Sequence, residues 1–82
     1  MKYRVEVKKR ALKDLKGIPD NDVEKIIEKM RQLEDNLAGD VKKLTNFTPE
    51  YRLRVGDYRI LFEIEDNCLI VYRIKHRREA YQ

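Results

Sequence analysis

Arg52, Arg54 and Arg59 lie within one short segment, Tyr51-Arg52-Leu53-Arg54-Val55-Gly56-Asp57-Tyr58-Arg59. A guanidinium is a planar fork of N–H donors that matches phosphate oxygens and keeps its charge at any cellular pH. A second basic run closes the chain: Lys75-His76-Arg77-Arg78-Glu79-Ala80-Tyr81. A tyrosine among arginines stacks on an unpaired base or serves in proton transfer. Histidine is a side chain suited to acid or base work, so His76 is a credible candidate, though packing or phosphate contact is its commoner use. Together these residue types suit the backbone of single-stranded RNA better than a small anion.

The spacing gives the arginines a common side. With Gly56-Asp57 as a two-residue loop, Val55 faces Tyr58, Arg54 faces Arg59, Leu53 faces Ile60 and Arg52 faces Leu61. Opposed residues share a side of a sheet, as do alternate residues on one strand. Tyr51, Leu53, Val55, Tyr58, Ile60, Phe62 and Ile64 then form the core face, and Arg52, Arg54 and Arg59 gather on the other. Like charges directly opposite one another destabilise a sheet. The alternatives are that Glu50 or Glu63 neutralises the cluster, or that it is an ordinary wet face.

Several elements must hold these residues. Tyr3, Val5 and Val7 alternate with charged residues, which predicts a short half-buried strand. Ala11, Leu12 and Leu15 have helical spacing over Arg10 to Lys16, ended by Gly17 and Pro19. Val23, Ile26, Ile27, Met30, Leu33 and Leu37 form one apolar helical stripe, with Asn21 as N-cap and Glu24 completing a capping box. Lys25 and Lys29, with Glu24, Glu28 and Arg31, are its solvated side. Val41 to Thr45 suits a brief strand. Strands over 51–55, 58–64 and 68–74, joined by Gly56-Asp57 and by a turn at Asp66-Asn67, complete a meander. The expected fold is α+β: an N-terminal strand, a two-helix antiparallel pair, then an antiparallel β meander, in the order β-α-α-β-β-β.

The chain has 82 residues, which suits one domain spanning 1–82 with a thin core and a shallow site. Its net charge of +4 is modest, so placement of charge matters more than its sum. Arg73, Lys75, Arg77 and Arg78 near the end face only Glu79. Cys68 is the only cysteine and His76 the only histidine, which excludes an internal disulfide and a Cys/His metal cluster. No apolar stretch approaches a membrane span, and the N-terminus lacks a signal peptide's apolar run, so a soluble cytoplasmic protein is expected.

The segment from Tyr51 to Arg59 and the terminal His76-Arg77-Arg78-Glu79-Ala80-Tyr81 together resemble the RelE/ParE superfamily of toxins, the RelE branch above all. Ala11-Leu12-Lys13-Asp14-Leu15 looks like that family's first helix, and the resemblance runs from Val5 to Tyr81. It implies a ribosome-dependent endoribonuclease, an mRNA interferase that cuts messenger RNA in the ribosomal A site. The nucleophile would be the RNA's own 2′-hydroxyl, with no metal or other cofactor. The implied partners are a cognate antitoxin of a type II system, the messenger RNA and ribosomal RNA.

Carried over by position, the resemblance makes Arg52, Arg54, Arg59, Arg77 and Tyr81 the catalytic set, with Lys75, His76 and Arg78 as RNA-binding residues. Arg59 matches an arginine that contacts the scissile phosphate. Arg52 and Arg54 stand where well-known members carry lysines, and arginine is a poor general base, so the base is unassigned. Lys75 stands where many relatives have glycine. Two other functions share the fold: a ParE-like inhibitor of DNA gyrase, and a degenerate member that only binds RNA or a partner.

Overall fold

The computed structural model describes residues 3–35, 37, 41–45 and 48–79. The elements run β1 (Arg4–Val7), α1 (Lys9–Lys16), α2 (Asp20–Leu33), β2 (Val41–Lys43), β3 (Tyr51–Val55), β4 (Tyr58–Glu65) and β5 (Cys68–His76). The architecture is the expected α+β, with the brief strand β2 adding one edge to the meander. The sheet order is β1-β5-β4-β3-β2. All neighbours are antiparallel except β1, which pairs parallel with the far end of the chain, Arg4 against Cys68 through Val7 against Val71. The two ends of the sequence are thereby locked side by side.

The meander register is the one the turn chemistry predicts. Val55 pairs with Tyr58, Arg54 with Arg59, Leu53 with Ile60 and Arg52 with Leu61. Gly56 carries φ +58°, a left-handed value that glycine adopts without steric cost. Leu53, Ile60, Phe62, Leu69 and Val71 are fully buried under Ala11 of α1 and Ile26 and Leu33 of α2. Tyr51 stacks on Phe62 with ring centroids 5.5 Å apart. Ile27, the outer edge of the α2 stripe, is 38% exposed, and Leu37 lies beyond the helix end with φ 57° while still packing on the core.

Helix α2 starts differently from the capping-box expectation. Pro19 occupies the N-cap and its carbonyl accepts from the N–H groups of Asp22 and Val23, at 2.9 and 3.0 Å. No side chain caps the helix. Asn21 is therefore inside the first turn, where Asp20 and Asp22 place negative charge at the positive end of the helix dipole.

Strand β5 departs from strict alternation. Leu61 pairs with Arg73 and Phe62 with Val71, so Tyr72 is one residue extra on β5. Such a bulge exchanges the faces of every residue beyond it. Leu69 and Val71 point to the core before it, and Ile74 does so after it.

Phe62→Ala should cost about 3–5 kcal/mol, because the core collapses poorly around a lost ring in so thin a domain. Ile27→Ala should cost well under about 1 kcal/mol. Chemical denaturation of both variants measures the difference.

Candidate nucleic-acid interface

Register places three cations in one row across three adjacent strands. Arg54 of β3 faces Arg59 of β4, and Arg59 faces Lys75 of β5. Lys42 of β2 faces Arg52 one pair further along the same side. Opposed Cβ atoms lie about 4.5–5.5 Å apart, so the row concentrates like charge. Among the described residues Arg54, Arg59 and Lys75 make no ion pair. Glu50 turns instead to Lys43, at 3.7 Å, and Glu63 lies opposite Ile70. Among the described residues neither acid makes an ion pair with Arg54 or Arg59. Arg59 is half-buried, its Nη1 donating weakly to the carbonyls of Tyr58 and Gly56 at 3.3 and 3.4 Å. Arg54 is exposed.

This side is not uniformly wet. Leu61 is 2% exposed and Ile70 is 7% exposed, yet neither joins the main core cluster. Alternation from the core residues Ile60, Phe62 and Leu69 places both on the side of the arginines. Arg52 faces Leu61 in register and is half-buried, whereas Arg54 and Arg59 face each other.

The C-terminal residues divide. Lys75 joins the row. His76, next in sequence, lies opposite Tyr58 on the helix side and meets its ring edge-on with centroids 5.5 Å apart. It lines a shallow cleft with Asp14, Ile18, Ile74 and Glu79, and its Nδ1 accepts from the N–H of Arg78 at 3.3 Å. His76 is therefore not brought together with Arg54 and Arg59. Arg77 stands at the end of the row beside the β3–β4 turn. Its N–H donates to the Asp57 carbonyl at 2.6 Å, and its Nε is 4.0 Å from the Asp57 carboxylate. That ion pair is solvent-exposed and worth about 0–1 kcal/mol, so the backbone bond does most of the holding. Arg78 is exposed. Tyr81 lies outside the described residues. Among the described residues no three His, Cys, Asp or Glu side chains come together as a metal site, and no helix is long and apolar enough to cross a membrane.

Two acids matter to the site that charge counting passed over. One is Asp57, just described. The other is Asp14 on α1. Its Oδ2 accepts from Arg73 Nε at 2.9 Å and from the Ile74 N–H at 2.9 Å, and its Oδ1 accepts from Arg73 Nη2 at 3.1 Å. β1 pairs with β5 as far as Val71, and beyond it the Ile74 N–H is taken up by Asp14 of α1. Arg73 is thereby withdrawn from the basic tail. Burial alone would raise the Asp14 pKa. The Arg73 hydrogen bond, the Ile74 N–H and the charges of Arg73 and Arg10 outweigh it and hold the carboxyl below its ordinary value.

These features have relatives. A family model described as the ParE toxin of type II toxin–antitoxin systems matches residues 5–81. The chain belongs to the RelE/ParE superfamily of toxins. The toxin RelE3 of Methanocaldococcus jannaschii is 35% identical over 78 residues, covering 89% of each chain. Two solved complexes share the fold of this toxin. The RelB–RelE antitoxin–toxin complex from Methanococcus jannaschii matches at TM-score 0.75 and 32% identity, over 88% of this chain and 89% of that one. The RelE–RelB complex from Pyrococcus horikoshii matches at 0.77 and 30%, over 98% and 100%.

Asp14→Ala should destabilise this toxin by about 2 kcal/mol, since it leaves an edge N–H and a guanidinium without their acceptor. A carboxyl whose folded pKa is depressed contributes stability above its unfolded value and loses it as pH falls. The gap between wild type and Asp14→Ala should therefore be full at neutral pH and shrink below the ordinary value of 3.8. Urea denaturation across pH 2.5 to 7 (a window set by that pKa) follows it.

Proposed function

We propose that this toxin is a ribosome-dependent endoribonuclease that cuts messenger RNA in the ribosomal A site. The observation that carries the reading is the cation row Arg54–Arg59–Lys75, which among the described residues has no acidic partner and is flanked by Arg52 and Arg77. A stable sheet gains nothing from placing Arg54 against Arg59. A phosphate passing through a more highly charged transition state gains preorganised donors. In the proposed step the RNA's 2′-oxygen attacks the adjacent phosphorus and gives up its proton. The bond to the 5′-oxygen breaks, that oxygen takes up a proton, and a 2′,3′-cyclic phosphate is left on the upstream fragment. Arg59 and Arg54 hold the phosphate oxygens, and Lys75, Arg52 and Arg77 hold neighbouring phosphates. Tyr81 stacks on a base and assists proton transfer, with Arg78 a further backbone contact. His76, on the helix side, supports the end of β5 against Tyr58.

The residues 1–82 act as one domain in the cytoplasm, where the ribosome supplies the alignment of RNA that a shallow face lacks. A cognate antitoxin silences the toxin. The relatives from M. jannaschii and P. horikoshii crystallised as RelB–RelE complexes, and so small a domain leaves apolar surface for a partner's amphipathic segment.

Arg59→Ala should slow single-turnover cleavage on programmed ribosomes by about 10²-fold or more, the scale of one lost transition-state donor. Ribosome affinity should fall much less, because other phosphate contacts share that work. Lys25→Ala, on the exposed side of α2, should cut at the wild-type rate. Tyr81→Phe should retain more activity than Tyr81→Ala if stacking dominates. Wild-type protein that leaves ribosome-bound messenger RNA intact while inhibiting gyrase supercoiling would overturn the reading.

A further inference from the structure

Tyr72 belongs neither to the main core nor to the cleavage set. Among the described tyrosines, Tyr3, Tyr51 and Tyr58 pack on the core, and Tyr72 does not. It is the extra residue of the β5 bulge and follows the core residue Val71, so alternation puts it on the side of the cation row. Bulges next to functional sites commonly serve to re-aim a side chain. Arg73, the next residue, turns to Asp14 on α1 instead. The Tyr72 ring is half-buried, and the exposed Lys8 lies over it, with Nζ 5.8 Å from the centroid. A ring face covered by one long, solvated side chain is readily uncovered. Leu61, 2% exposed, lies across β4 from the bulge, and Ile70, 7% exposed, precedes it on the same side. Lys75 of the cation row follows on the same strand, about 10 Å further along.

We propose that Tyr72 is a stacking platform for an unpaired base of the RNA strand whose phosphate lies on Arg54, Arg59 and Lys75. The base is a different one from that given to Tyr81. The proposal rests on the reading of the row as an RNA-phosphate site. Every base offers a flat π-face to an aromatic ring, and single strands are held by such rings set beside a basic track. Tyr72 meets both conditions. Lys75 lies on its own strand, at a reach that a neighbouring nucleotide covers, and Lys8 adds a cation at the ring itself. Leu61 and Ile70 give the surface beside the ring an apolar floor, which suits a base and disfavours a phosphate. Glu6 and Glu63 both lie opposite Ile70, so the face turns acidic just beyond the ring and the phosphate path stops there. A base reaching inward from the row, with its phosphate left on the cations, fits that order of cation, aromatic, apolar and acid.

The test is single-turnover cleavage on programmed ribosomes, using messages with an abasic residue at one position at a time through the A-site codon and its neighbours. For wild type, one position other than that read by Tyr81 should slow cleavage by about 10-fold, the scale of one base–aromatic stack. Tyr72→Leu should slow cleavage of the unmodified message by a similar factor and lose the sensitivity at that position alone. Tyr72→Phe keeps the ring and should keep the sensitivity. Tyr81→Ala, which removes the other stack, should keep it too. A Tyr72→Leu variant that cuts at the wild-type rate overturns the proposal. So does a slowing that multiplies with the abasic effect at every position, the mark of a disturbed fold. Where wild type cuts no message, affinity decides instead. The full chain is titrated with a fluorescent single-stranded RNA of about eight nucleotides and with its fully abasic counterpart. A preference for the strand with bases that narrows in Tyr72→Leu leaves this proposal standing while the cleavage reading falls. A preference unchanged by Tyr72→Leu, or none in wild type, overturns it and leaves the ring to a protein partner.

Discussion

One extra residue in β5 decides what the cationic face contains. Before Tyr72, odd-numbered residues of the strand, Leu69 and Val71, point to the core; beyond it, the even-numbered Ile74 does so. Strict alternation would have carried Lys75 toward the helices and His76 toward the arginines. The bulge reverses both, setting Lys75 in line with Arg59 and Arg54 and turning His76 against Tyr58. It also marks where β1 stops pairing, which leaves the edge of β5 open to α1. Asp14 closes that edge by accepting the Ile74 N–H and binding Arg73. The bulge, the clasp and the cation row are thus one construction.

The energetic signs of its parts differ. Arg54 against Arg59 opposes folding, as like charges across a sheet do. Folding proceeds because the opposite side of the same strands buries Leu53, Ile60 and Phe62 beneath two helices, a term several times larger per residue than a surface charge pair. The Asp14–Arg73 pair is of the favourable kind, since three hydrogen bonds satisfy it in a partly sheltered position. The compensated pair Arg73–Asp14 ties α1 to β5. Among the described residues, Arg54, Arg59 and Lys75 of the cation row make no ion pair. The distribution suits a protein whose proposed ligand is itself a polyanion.

Membership of the RelE/ParE superfamily accounts for the fold and for a place in a type II toxin–antitoxin system. Chemistry depends on side chains that vary within such a fold. Here the row holds two arginines and a lysine, and a guanidinium cannot act as a base at cellular pH. In the proposed cleavage, proton transfer falls to Lys75, to Tyr81 or to groups the ribosome brings.

Much of this was determined by sequence alone. Two-residue turn chemistry at Gly56-Asp57 sets the hairpin register, and register sets which side Arg52, Arg54 and Arg59 share. The alternation of Tyr3, Val5 and Val7 and the apolar stripe of α2 declare their elements because hydrophobic period is a local property. Tertiary structure decided the rest. A bulge leaves no mark in composition, so the opposite orientations of Lys75 and His76 were not legible. Nor was the bond between Asp14 and residues 59 and 60 positions away, or the start of α2 at Pro19 in place of Asn21. Sequence supplies the charges, but which charges meet and which remain free depends on contacts between distant segments, and these exist only once the chain has closed on itself.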